Sequence, residues 1–192
     1  MSHGYEIDWN TLPKPEDDGA ADHLIGQRLP ALSLAATNGQ SIDLSALTGR
    51  SVVYVYPMTG QPGTDLPEGW DAIPGARGCT PQSCAFRDHH RELKDLGADH
   101  VFGLSNQDSG YQQEVVDRLH LPFTILSDAE LRFTNTLQLP TFKVEAAAGV
   151  MTLIKRLTLI IDDGKIRHCF YPVFPPDENA QAVIDWLKAD AA

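Results

Sequence analysis

The chain has 192 residues, 42% of them hydrophobic, which is enough to bury one sizeable core and too few for two large domains. Its formal net charge of -11, with no run rich in lysine or arginine, argues against nucleic acid and anionic membrane surfaces as partners. Three cysteines are too few for a secreted disulfide scaffold, so a close pair among them points to redox or metal chemistry.

The segment Gly4 to Gly26, with Pro13, Pro15, Asp17 and Asp18, has no clear apolar period and is predicted to be an extended arm (residues 1–25) lying on a single domain (residues 26–192). It lacks the apolar run of a signal peptide, and nothing later spans a bilayer, so a cytoplasmic address is expected. Leu32 to Leu34 and Ile42 to Leu44 alternate around Thr37-Asn38-Gly39, predicting a β-hairpin turned by Asn-Gly. Val52 to Tyr56 is a β-branched and aromatic run without charge, the pattern of a central strand covered on both faces. From Pro57 to Gly78 the chain is rich in proline and glycine and predicts a long loop around Trp70.

A helix is expected from Cys79, with Thr80 as a cap and Pro81 at a first helical position; Phe86, His90, Leu93 and Leu96 recur at helical spacing until Gly97. Val101 to Leu104 then reads as a strand, Gly110 to Leu121 as a helix, Phe123 to Leu126 as a strand and Ala129 to Leu137 as a short helix. Leu157 to Ile161 and Ile166 to Tyr171 make a second hairpin about Asp162-Asp163-Gly164-Lys165, and Asn179 to Lys188 is a closing amphipathic helix. This order fits an α/β thioredoxin-like fold, a central mixed sheet flanked by helices with an added N-terminal hairpin.

The helix start gives Cys79 its interest. Thiols react as thiolates, and the unpaired N–H groups and dipole of a helix N-terminus favour negative charge. Gly75 and Gly78 allow backbone donors to approach a bound peroxide oxygen. The competing reading of Cys79 is a buried small hydrophobe. Cys84 lies five residues on, which in a helix separates the Cα atoms by about 8 to 9 Å, beyond disulfide reach of about 7 Å. A Cys79–Cys84 bond therefore requires the first helical turn to unwind. A Cys79 sulfenic acid would then condense with Cys84 as resolving thiol before overoxidation; otherwise Cys84 is a packing residue beside Phe86.

The run Gly78-Cys79-Thr80-Pro81-Gln82-Ser83-Cys84-Ala85-Phe86-Arg87-Asp88 resembles the active-site segment of the peroxiredoxins, specifically the peroxiredoxin Q or bacterioferritin-comigratory branch. Tyr56-Pro57 and the stretch from Arg156 to Lys165 resemble that family's strand-end proline and arginine-bearing strand, so the likeness runs from about Gly26 to the C-terminus. The resemblance implies reduction of hydrogen peroxide or alkyl hydroperoxides, with recycling by thioredoxin or a similar dithiol reductant. It also implies that Arg156 holds the Cys79 thiolate and stabilises charge as the O–O bond breaks, and that Pro57 shields the thiolate from water. The family places a threonine or serine three residues before the reactive cysteine, whereas here Ala76 stands there and an insertion centred on Trp70 precedes it. Thr59 is the candidate for the displaced hydroxyl, with Thr64 and Thr80 as rivals.

Cys169, on the last strand, reads as a packing residue. His89-His90 beside the cysteine pair raises zinc, but the cysteine spacing is too wide for a structural site and no second pair exists, so neither metal nor organic cofactor is expected. The apolar stretch Phe170 to Pro176 covers the core or meets a partner chain. The expectation is a monomeric or homodimeric thiol peroxidase. Its rivals are a protein disulfide oxidoreductase, which lacks its usual Cys-x-x-Cys here, and a redox-sensing binding module whose helix melts on oxidation.

Overall fold

The structure, a computed structural model, describes residues 7–192; the first residues of the expected arm lie outside these. Seven strands form the main sheet: β1 (Ser33–Ala36), β2 (Ser41–Asp43), β3 (Arg50–Val55), β4 (His100–Ser105), β5 (Ile125–Ser127), β8 (Leu157–Asp162) and β9 (Lys165–Phe170), in the order β2-β1-β5-β4-β3-β8-β9. Two further strands, β6 (Thr141–Ala146) and β7 (Gly149–Ile154), form a separate hairpin. The helices are α1 (Cys79–Asp88), α2 (His90–Asp95), α3 (Ser109–Leu119), α4 (Arg132–Leu137) and α5 (Asn179–Asp190). β3, β4 and β5 pair in parallel, which demands helical crossovers, and α1–α2 and α3 supply them; the remaining pairs are antiparallel. The sheet is thus the expected mixed one, with the first hairpin added at its edge.

Strand β3 explains how the sheet is buried. Val53 and Val55 face one core with Leu34, Phe133 and Leu159, while Val52 and Tyr54 face a second with Phe86, Val115 and Ile184. The stretch Val52–Val55 carries no charge because its alternate side chains enter two different apolar layers, while Arg50 at the strand's start pairs with Asp162. The turn between β8 and β9 places Asp163 and Gly164 at φ 47° and 74°, the geometry of a tight hairpin, and a Cβ on Gly164 would meet the Ser45 carbonyl oxygen at 2.5 Å. In the first hairpin only Gly39 takes positive φ, so one residue of the Asn-Gly pair does the turning.

Several elements differ from expectation. The cap of α1 is Gly78, at φ 110° and without a side-chain capping bond, and Thr80 lies inside the first turn. The helix does not run unbroken to Gly97: it pauses at His89 (ψ 5°), and the ring of His90 packs 5.6 Å from that of Phe123. The Trp70 loop is not devoid of regular structure, since Trp70–Ala72 forms a 3-10 turn. Trp70 itself is buried with Ala76, Val144 and Leu153, so the insertion and the β6–β7 hairpin share a third apolar cluster. The arm is more than a surface cover: Ala21 and Leu24 enter the main core, because a short 3-10 turn at Asp22–Leu24 points Leu24 inward. Among the described residues no helix is long and apolar enough to cross a membrane.

Candidate active site

Cys79 begins α1 and is almost fully buried, at 3% exposure. Arg156 stands in the short link between β7 and β8, so both strands fix its backbone, and it is equally buried. Its Nη2 lies 3.2 Å from Cys79 Sγ. The same nitrogen donates to the carbonyls of Ala76 at 3.0 Å and of Gly75 and Arg77 at 3.3 Å, which draws the segment before Cys79 around the guanidinium. Nη1 donates to Gln82 Oε1, and Nε is buried without a hydrogen-bond partner among the described residues. A guanidinium and a helix N-terminus thus both face the Cys79 sulfur, an arrangement suited to an anionic sulfur, and the buried Nε–H has no partner among the described residues.

Pro57 is buried at the end of β3, where Tyr56 N donates to Leu104 O at 3.1 Å. Thr59 is buried, but its hydroxyl is committed to Gln107 Oε1 at 3.3 Å and no hydrogen bond joins it to Cys79 among the described residues. The Tyr111 hydroxyl donates to Thr59 O at 2.8 Å. Thr64 is exposed and Thr80 half-buried. Ala76 belongs to the Trp70 cluster, so a hydroxyl there would be buried among apolar side chains. The structure thus unites Cys79 and Arg156 directly, whereas Pro57 is buried just after β3 and the Thr59 hydroxyl is engaged by Gln107.

Cys84 is half-buried on the same helix, and both thiols are free. Burial pushes the Cys84 thiol above its ordinary range, partly offset by Arg87. The inner face of α1 is tied down by Tyr54, whose hydroxyl donates to Ser83 Oγ at 3.1 Å and whose ring stacks on Phe86 at 4.5 Å. Cys169 packs against the main core, and burial pushes its thiol up to about 12. His89 pairs with Glu92 at 3.5 Å. A cavity of about 430 Å³ opens beside Arg156, walled by Ile73 and Pro74 of the insertion, Pro15 of the arm, Phe142 and Val173.

The apolar stretch after β9 serves the site. Phe174 meets Trp9 edge-on at 5.9 Å, and Val173 and Pro176 are buried. A Cβ on Gly78 would meet Pro176 at 2.6 Å and Trp9 at 2.8 Å. Gly78→Ala is therefore expected to cost about 1 to 3 kcal/mol, combining positive-φ strain with overpacking. The check is the urea midpoint of unfolding; an unchanged midpoint would show that the segment yields freely. Gln82 has no place among the residues expected from the sequence, although it lies inside the cysteine motif. Its position three residues after Cys79, on the same helix, was the available signal.

The redoxin family profile matches residues 24–184. Peroxiredoxin Bcp of Escherichia coli is 31% identical over 86% of this chain and 96% of its own length. A chloroplastic peroxiredoxin Q of Suaeda salsa is 29% identical over 85% of this chain, which spans 67% of that relative. In fold, the chain resembles peroxidoxin BcpB of Mycobacterium tuberculosis, with a TM-score of 0.66 at 24% identity over 86% of this chain and 96% of that one. It also resembles a PrxQ variant of Xylella fastidiosa, with a TM-score of 0.68 at 18% identity over 88% and 97% of the respective chains. With a buried cysteine at a helix N-terminus, an arginine on its sulfur and these relatives, the chain belongs to the redoxin family, and within it to the thiol-dependent peroxidases of the peroxiredoxin Q/Bcp type.

Proposed function

We propose that Cys79 is the peroxidatic cysteine of a hydroperoxide reductase and Cys84 its resolving cysteine. The single observation that carries this reading is the 3.2 Å approach of Arg156 Nη2 to Cys79 Sγ inside a buried site. The thiolate attacks one peroxide oxygen, an S–O bond forms as the O–O bond breaks, and the other oxygen leaves as water or alcohol after taking a proton. Arg156 holds the thiolate, and its unspent Nε–H meets charge developing on the peroxide. Pro57 limits water at the sulfur. Thr59 acts on the peroxide only if it gives up Gln107, so its contribution is through the loop.

The sulfenic acid on Cys79 then condenses with the Cys84 thiol, releasing water and forming the disulfide. A helix holds the two Cα atoms about 8 to 9 Å apart, so the first turn of α1 must unwind. A thioredoxin-like dithiol is oxidised in turn and returns both cysteines to thiols. This unit spans residues 26–192 with 1–25 as an arm, and it works in the cytoplasm, a reducing compartment, as a monomer or homodimer.

The test is exposure of the reduced protein to one equivalent of hydrogen peroxide or an alkyl hydroperoxide, followed by peptide mass spectrometry and hydrogen exchange. A Cys79–Cys84 disulfide with new exchange across residues 79–88 is expected, reversed by thioredoxin. Oxidation that leaves both peptides as free thiols would exclude the mechanism.

A further inference from the structure

Arg156 is held on its far side by Gln82, whose amide is itself held from the other end. Gln82 Oε1 accepts from Arg156 Nη1, and Gln82 Nε2 donates to Asn179 Oδ1 at 2.9 Å. The same Asn179 oxygen accepts the Thr158 hydroxyl at 2.7 Å. Gln82 and Thr158 are fully buried, and Asn179 and Arg156 are 3% exposed, so water does not stand in for any of these bonds. Polarity runs one way along the chain. Arginine has only donors, so it requires the Gln82 oxygen; the Gln82 amine then requires an acceptor, and Asn179 Oδ1 is that acceptor.

We propose that Asn179, assisted by Thr158, is a positioning residue for the peroxidase reaction: it fixes the Gln82 amide, which in turn fixes the Arg156 guanidinium against Cys79. Asn179 is the first residue of α5 and Thr158 lies on β8, so two separate elements converge on the first turn of α1. A guanidinium gripped only through Nη2 can pivot about that nitrogen; the Gln82 bond at Nη1 removes the pivot and so holds the unpartnered Nε–H in one orientation. The inference rests on Cys79 and Arg156 acting as the proposed function assigns them.

The test uses the full-length reduced protein and two readouts: the second-order rate with hydrogen peroxide, and the pH profile of Cys79 alkylation by iodoacetamide with Cys84 and Cys169 replaced by serine. Asn179→Ala is expected to slow the peroxide reaction about tenfold, the scale of a modest misplacement of a catalytic group, and to move the alkylation profile to higher pH. Thr158→Val should do the same more weakly, and it carries the test if Asn179→Ala does not fold. Val183→Ala, also fully buried in α5, should lower thermal stability and leave both readouts where they are. In a Gln82→Leu background, Asn179→Ala should add little, since its effect passes through Gln82. Wild-type rate and profile in a folded Asn179→Ala protein, or an effect that adds in full to that of Gln82→Leu, would overturn the relay. A wild type that reacts no faster than a free cysteine would instead sink the proposed function itself.

Discussion

With Cys79 replaced by serine, peroxide consumption is expected to fall to baseline, whereas Cys84→Ser is expected to react once at nearly the wild-type rate and then stop. Serine's hydroxyl does not ionise near neutral pH, so the first variant loses the nucleophile altogether. In the proposed mechanism Cys84 enters only at the second step; its thiol is free and half-buried, five residues beyond Cys79 on α1. Stopped-flow fluorescence follows the first step, and dimedone trapping with mass spectrometry identifies the sulfenic acid that Cys84→Ser accumulates. The reverse pattern, with Cys84→Ser blocking the first oxidation, would exchange the two roles. The resolving step also has a pH signature. Burial raises the Cys84 thiol, so in the helical state its thiolate grows in only above the usual thiol range. Unwinding returns Cys84 to water and removes that burden. Resolution whose rate levels off near the ordinary thiol range therefore reports attack after unwinding; a rate still climbing well above that range reports attack from the folded helix.

The fold was legible where a local pattern has a single structural solution. The uncharged run at β3 admits only a strand buried on both faces, and Asp163-Gly164 admits only a tight hairpin turn. The start of α1 at Cys79 was readable from Pro81 and the apolar period behind it, although the cap is Gly78. The β6–β7 hairpin escaped because its turn, Ala146 to Gly149, lacks an Asn-Gly or Asp-Gly signal and its strands bury few side chains. What was lost at the site is long-range. Ala76 looks like a missing hydroxyl in the motif, but its side chain packs into the cluster that Trp70 and Leu153 form. Gln82 and Asn179 are 97 residues apart and meet only because α5 folds back on α1. Leu24 entered the core from a segment that carries no period at all.

Arg156→Gln is expected to slow the peroxide reaction by about 10²- to 10³-fold, the usual loss when a preorganised donor is removed from a developing charge. The substitution removes the charge, shortens the side chain, and strips donors from Gln82 and from the carbonyls of Gly75, Ala76 and Arg77. Part of the loss will therefore come from a loosened segment before Cys79, and a lower melting temperature will measure it. Arg156→Lys separates charge from geometry: an ammonium keeps the charge but cannot serve Gln82, the loop and the sulfur from a flat fork, so it should recover only part of the rate. Comparing two electrophiles then divides the remaining effect. Iodoacetamide needs only the Cys79 thiolate, whereas a hydroperoxide also places charge on the departing oxygen. If Arg156→Gln slows peroxide more than iodoacetamide, the guanidinium acts on the breaking O–O bond, in keeping with the free Nε–H. Equal losses would confine Arg156 to holding the thiolate and would leave Nε without a task in the chemical step.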